Sequence, residues 1–213
     1  MNQIQTIILL ILPLMLAIIL HEVSHGWVAG KLGDPTARLL GRITLNPIPH
    51  IDPFGSILVP GILLLTGSHF LFGWAKPVPV NFGNLRGGRK SMALVALSGP
   101  VTNLLLAVLS SIVYHLTFGD GSAGLAGALI LPIHLMARYS VILNLVLMVF
   151  NLLPIPPLDG GRIAVGLLPE SLAIPLQRAE RWGMLIVLLL IVSDLWTRVL
   201  GPVIYLFLRI LGM

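Results

Sequence analysis

Residues Ile7 to Leu20 are fourteen positions without a charge and with one proline, and His21-Glu22-Val23-Ser24-His25 follows directly. This junction restricts the fold more than any other stretch. An apolar run of that kind reads as part of a membrane-crossing helix. Ionisable groups at its end are costly in lipid, face protein or water when they occur, and mark function. Residues four apart share one helix face, so His21 and His25 point the same way. Glu22 is rotated about 100° from His21.

The rest of the chain fits a membrane setting. Of 213 residues, 56% are hydrophobic and 10% charged, where soluble domains carry about 25% charge. That length suits a single domain, residues 1–213, with several spans of about 20 residues each. There is no cysteine, so disulfides and thiolate metal sites are excluded. The first span is expected to be retained, since Met1 to Gln5 lacks a basic region and no small-residue cleavage site follows Leu20.

The net charge of +5 does not indicate nucleic acid, because Lys and Arg form no long cluster. They fit a topology instead. Lys31, Arg38, Arg42, Lys76, Arg86, Arg89, Lys90, Arg162, Arg178 and Arg181 all fall on the cytoplasmic side under one arrangement. In it, span one runs from about Gln5 to Leu32, span two from Ser91 to Phe118 and span three from Ile133 to Leu153. Span four runs outward from Gly183. Ser56 to Trp74 is apolar enough to cross, but it contains Pro60, Gly61, Gly67 and Gly73. A crossing there would put Lys76 to Lys90 opposite Lys31 to Arg42. A re-entrant or interfacial segment is therefore preferred. The expected fold is an all-α polytopic membrane protein. It has about four transmembrane helices, this re-entrant segment, and room for short β-strands at Leu39–Leu45 and Val78–Val80. The proline-rich stretch Asn46 to Pro53 breaks any helix.

His21-Glu22-x-x-His25 has the ligand spacing of a zinc site with an adjacent carboxylate base. A catalytic zinc takes three protein ligands, and here only nitrogen and oxygen are on offer. Asp34, Glu170 and Glu180 sit in loops, Asp120 at a loop tip and Asp194 near the outer end of a span. Asp159 follows a long apolar run and the broken stretch Asn151-Leu152-Leu153-Pro154-Ile155-Pro156-Pro157-Leu158. Spacing alone leaves it either as the third ligand or as the N-cap of a helix near Arg162. Asn103, in Ser98-Gly99-Pro100-Val101-Thr102-Asn103, reads as interhelical glue or as part of a site, as do Asn144 and Asn151. His50, His69, His115 and His134 need no special role.

Together, His21-Glu22-x-x-His25, Ser98-Gly99-Pro100-x-x-Asn103 and Asn151-x-x-Pro154-x-x-x-Leu158-Asp159-Gly160 resemble the site-2 protease family of intramembrane zinc metalloproteases. Phe72 to Asn81 resembles the link between the first core spans of its compact bacterial and archaeal branch. The chain lacks the PDZ and CBS domains of larger members. The resemblance implies one Zn2+ per chain on His21, His25 and Asp159, with Glu22 activating water. It also implies Asn103 and Asn151 holding the substrate strand or the developing oxyanion. Cleavage would fall in or near a transmembrane segment. Expected partners are transmembrane protein substrates and the lipid bilayer, with room for a homo-oligomer and none for nucleic acid. The expected location is the cell membrane, multi-pass, with the active site toward the cytoplasm. A metal or proton transporter, or an inert scaffold, are the rivals. The lack of an inverted repeat and the adjacency of Glu22 to His21 favour hydrolysis.

Overall fold

The computed structural model describes residues 3–67, 73–117, 125–193 and 195–213. Among them the chain is mostly helical. Three helices are long and apolar enough to cross a membrane: α1 (Gln3–Lys31), α4 (Arg89–Leu116) and α5 (Leu125–Asn151). Between α1 and α4 lie α2 (Thr36–Leu39) and α3 (Val59–Leu65). After α5 come α6 (Asp159–Leu167), α7 (Glu170–Arg178), α8 (Glu180–Val192) and α9 (Leu195–Ile210).

Helical periodicity decides which faces meet. On α1, Ala17, His21, His25 and Ala29 recur every four residues, and all four are buried. The alanines let α4 approach closely, as small residues do between membrane helices. The opposite face, with Leu12, Leu16 and Trp27, is exposed. On α4, Leu94, Leu97, Val101, Leu105, Val108 and Ile112 form an exposed apolar stripe, suited to lipid tails rather than water. α4 is the hub and packs on α1, α5 and α6. Ala107, Val141, Leu145, Met148, Val149 and Leu200 form the core where α4, α5 and α9 meet.

The expected fourth span is not a single helix. Beyond Gly183 the chain continues in α8, of 13 residues, and α9, of 16, both shorter than the roughly 20 needed alone. Extended backbone at Ser193, φ −84° and ψ 144°, ends α8.

Neither expected strand forms among the described residues. Leu39 closes α2, and Gly41 turns the chain with φ 64°. Val78 to Val80 forms neither strand nor bridge. Pro77 and Pro79 have no N–H to give, and the Val78 N–H donates to the Glu22 carboxylate. The broken stretch Asn46 to Pro53 contains one 3-10 turn, Ile48–His50.

Ser56 to Trp74 starts and ends in one place. The Trp74 N–H donates to the Gly55 carbonyl (3.1 Å) and the Ser56 hydroxyl to the Trp74 carbonyl (2.9 Å). Next to them, the Lys76 N–H donates to the His50 carbonyl (2.9 Å). A wide π-type turn, Pro53–Leu58, capped by Asp52, runs into α3. This helical stretch is about 20 Å long, against a hydrocarbon layer of about 30 Å. Arg42 Nη2 donates to the carbonyls of Lys76 and Pro77, tying the loop after α1 to the segment before α4.

Buried Asp34 fastens the same region. It accepts from the Asn81 N–H (2.7 Å), Asn84 Nδ2 (3.0 Å) and Thr36. Burial pushes its carboxyl up, but these hydrogen bonds outweigh that and hold it below the usual carboxylate range. His69, Asp120 and Asp194 lie outside the described residues.

Candidate metal centre

His21 and His25 leave α1 on its buried face, and Asp159 meets them from the first turn of α6. His21 Nε2 and His25 Nε2 are 3.1 Å apart. Asp159 Oδ2 lies 3.1 Å from the first and 3.4 Å from the second. Leu158 is the N-cap of α6, with no side-chain capping bond. Of the two readings the spacing left open, the geometry removes the cap and places Asp159 in a His–His–Asp group that could hold a metal ion. Gly160 and Gly161 permit the approach. A Cβ at either would sit 2.2 Å from backbone, at Leu152 O or Pro156 N.

The hydrogen bonds fix the imidazole tautomers. His25 Nδ1 is 2.8 Å from the Val95 carbonyl, which can only accept, so Nδ1 carries the proton. Asn103 Nδ2 donates to the Ala17 carbonyl and to Asn144 Oδ1. Its Oδ1 is therefore the atom facing His21 Nδ1, and that nitrogen too is a donor. In the neutral rings both Nε2 atoms then present lone pairs toward a carboxylate oxygen that is buried without a hydrogen-bond partner. Three electron-pair donors converging in this way call for a cation.

The distances fit one. Ligand bonds of about 2.0–2.1 Å in a tetrahedral site place donor atoms about 3.3 Å apart, matching the 3.1–3.4 Å separations. Nitrogen and oxygen ligands suit zinc. Each imidazole is held through its other nitrogen, the usual support for metal-binding histidine. Among the described residues this is the one cluster of His and carboxylate ligands able to hold a metal.

Glu22 is outside that cluster. Its Oε2 accepts from the Val78 N–H at 2.7 Å, and it lines a cavity of about 330 Å³ together with His21, His25 and Asp159. Trp74 to Val80 and α8, through Met184 and Val187, form other walls. Asn151 lines the same cavity, while its Nδ2 donates to the Leu147 carbonyl. Asn103 is elsewhere. It is fully buried behind His21, among Ala17 and Asn144, and does not line the cavity. Asn144 in turn donates to the Ser140 carbonyl. Asn103 thus bonds two helices and a candidate ligand. Buried and off the cavity, it is not placed to hold a substrate strand or a developing oxyanion.

Other features were not anticipated from the sequence. Val95 O, Gly99 and Ser98 all face the histidines from α4. The Ser98-Gly99-Pro100 motif was the available signal, since glycine allows close approach and proline opens a helical turn. Arg162, one turn after Asp159, lines the cavity and stacks over Phe82. The remaining described histidines are structural. His50 Nε2 meets the Thr44 carbonyl, His115 Nε2 the Leu211 carbonyl, and His134 Nδ1 the Thr117 hydroxyl.

A His–His–Asp cluster with an adjacent glutamate, set inside a bundle of apolar helices, defines the H-E-x-x-H class of metallohydrolase site. The comparisons with known proteins agree. The profile described as Peptidase family M50 matches residues 123–193. The Bacillus subtilis (strain 168) protein named "Putative zinc metalloprotease YwhC" is 42% identical over 193 residues, covering 91% of this chain and 84% of that one. The Mycolicibacterium smegmatis protein named "Putative zinc metalloprotease Rip2" is 29% identical over 218 residues, covering all of this chain and 78% of its own. No solved structure matches. The chain belongs to peptidase family M50, the site-2 protease family.

Proposed function

We propose that this protein is an intramembrane zinc metalloprotease that hydrolyses a peptide bond in or near a transmembrane segment of membrane-protein substrates. The observation carrying this reading is the convergence of His21, His25 and Asp159 on one point beside Glu22, between helices built for lipid. A zinc ion held there supplies Lewis acidity, polarising a carbonyl and bringing the pKa of water near 7.

The chain's own residues do the rest. Glu22 takes a proton from water and returns it to the leaving amine. Asn103 and the Val95 carbonyl hold the two imidazoles in the tautomer that leaves Nε2 free. Asn151, on the cavity wall, is suited to hold the substrate backbone or the developing oxyanion. The apolar lining from α8 and Trp74 to Val80 fits an unwound hydrophobic segment.

The active site belongs on the cytoplasmic side. Lys31 lies over Trp27 at the end of α1, an aromatic and cation pairing suited to the membrane interface. Ser56 to Trp74 serves as a re-entrant or interfacial segment, a reading supported by its joined ends. α8 and α9 together form the fourth crossing. Leu211 joins His115 and Ser111 at the far end of α4, which supports that path. Because the chain has no cysteine, single cysteines report the topology. An impermeant thiol reagent applied to whole cells should label Thr117→Cys and miss Arg89→Cys. The reverse pattern would sink this orientation.

Hydrolysis is tested with purified protein and a helix-destabilised transmembrane peptide. Cleavage should stop when a chelator strips the metal and return with added zinc. Zinc flux in proteoliposomes without any cleavage would instead establish the transporter class.

A further inference from the structure

We infer that the backbone N–H of Val78, the one donor that the Pro77-Val78-Pro79 tripeptide possesses, positions Glu22 for proton transfer. The inference rests on the hydrolytic reading above and adds a positioning group to it.

The sequence restricts that N–H before any packing is considered. Pro77 and Pro79 have no amide hydrogen, and their φ angles are fixed. Val78 precedes a proline and is kept out of the helical region. The tripeptide is thus a stiff, extended piece with a single amide to offer. That amide points at Glu22 Oε2, 2.7 Å away, the short distance expected of a bond to a carboxylate.

Packing holds the piece in register with α1. The Val78 side chain is 6% exposed and rests on Gly26, where an added Cβ would come within 2.8 Å of Val78 Cγ1. Gly26 is one turn beyond Glu22 on α1. Val78 therefore touches the helix twice, by its side chain at 26 and its N–H at 22. Arg42 clasps the preceding carbonyls of Lys76 and Pro77, and the Lys76 N–H is tied to His50.

A carboxylate has two oxygens. The Val78 bond occupies Oε2 and sets the rotamer, leaving Oε1 to receive the proton of water. A base held by a third group is the arrangement that proton-transfer sites use. The donor is part of the main chain between two prolines, so it cannot rotate away as a side chain would. The same accounting bears on substrate binding. With its one amide engaged, this tripeptide has none left to pair with an added strand.

The decisive experiment replaces single amides by esters in the full-length, zinc-loaded protein. An ester at Val78 removes the N–H while keeping the side chain. An ester at Lys76 removes the neighbouring bond to His50 and controls for loosening of the segment. The expected result is a fall in kcat of about 10- to 100-fold for the Val78 ester, with KM and zinc content unchanged, and no such fall for the Lys76 ester. An equal fall for both, or an unchanged or raised kcat for the Val78 ester, would overturn the inference. Hydrogen exchange gives a second readout without turnover. Within residues 77–79 the Val78 amide is the only one that exchanges. It should be protected in the wild type and exposed in Glu22→Ala, and equal protection would also overturn the inference. This comparison decides the matter if the ester protein does not fold. A wild type that neither holds zinc nor cleaves defeats the hydrolytic reading itself. An active wild type with an unaffected Val78 ester defeats only the role given to Val78.

Discussion

Glu22→Gln is expected to abolish cleavage and leave zinc bound. The amide keeps the shape of the carboxylate, and its carbonyl oxygen can still accept from the Val78 N–H. It cannot take a proton from water. Loss of a general base costs about 100- to 10,000-fold. The proposed ligands His21, His25 and Asp159 are untouched, so metal content should remain one per chain. His25→Ala is the contrast, losing cleavage together with zinc. Metal analysis and peptide cleavage on the same samples separate the two. If Glu22→Gln loses zinc as fully as His25→Ala, Glu22 is a ligand and the roles are wrongly divided. If it turns over normally, proton transfer by Glu22 is wrong, and with it the hydrolytic mechanism.

Gly99→Ala is expected to be nearly as damaging, although residue 99 carries no chemistry. A Cβ there would lie 2.5 Å from His21 Cε1, 2.6 Å from His21 Nε2 and 2.6 Å from His25 Cε1. Neither ring can step aside without breaking its bond to Asn103 or to the Val95 carbonyl. Zinc affinity should fall by about 10- to 100-fold or more, the usual cost of disturbing the support of metal-binding histidines. Helix propensity works in the opposite direction, since alanine favours a helix by about 1 kcal/mol over glycine. The variant should therefore keep its helical content and thermal transition while losing metal. Normal zinc content in Gly99→Ala would show that α4 does not press on the site as described.

Some of this site is legible in a single stretch of sequence, and some is not. The pairing of His21 with His25 follows from helical periodicity alone, because four residues advance slightly more than one turn. The same periodicity selects Ala17 and Ala29 as their buried neighbours. Asp159 is different. Local rules allowed it to cap α6 or to approach the histidines, and nothing within a few residues decided between them. The outcome depends on Gly160 and Gly161 nesting against the backbone of 152–156, a contact between segments rather than a property of either.

Asn103 shows the same division. An amide on an apolar helix needs partners, but the sequence does not say which. Packing of α4 between α1 and α5 supplies Ala17, His21 and Asn144 together, so the residue supports the candidate metal centre from behind. Val78 to Val80 suggested a strand because valine favours extended backbone. The prolines on either side of Val78 have no N–H to give a ladder, and only the tertiary structure showed where its lone amide goes.

The sequence by itself determined that the chain is a helical membrane protein, that two histidines share a face, and that a carboxylate stands beside them. These are consequences of composition and of a 3.6-residue period, which act over one or two turns. Only the tertiary structure decided which distant acid meets the histidines, which atoms fix their tautomers, that Ser56 to Trp74 returns to its starting point, and that the segment beyond Gly183 breaks in two. The first two outcomes are set by how closely α1, α4 and α6 can approach, which depends on glycine and alanine at the points where they touch. The last two are set by hydrogen bonds between Gly55, Ser56 and Trp74 and by extended backbone at Ser193.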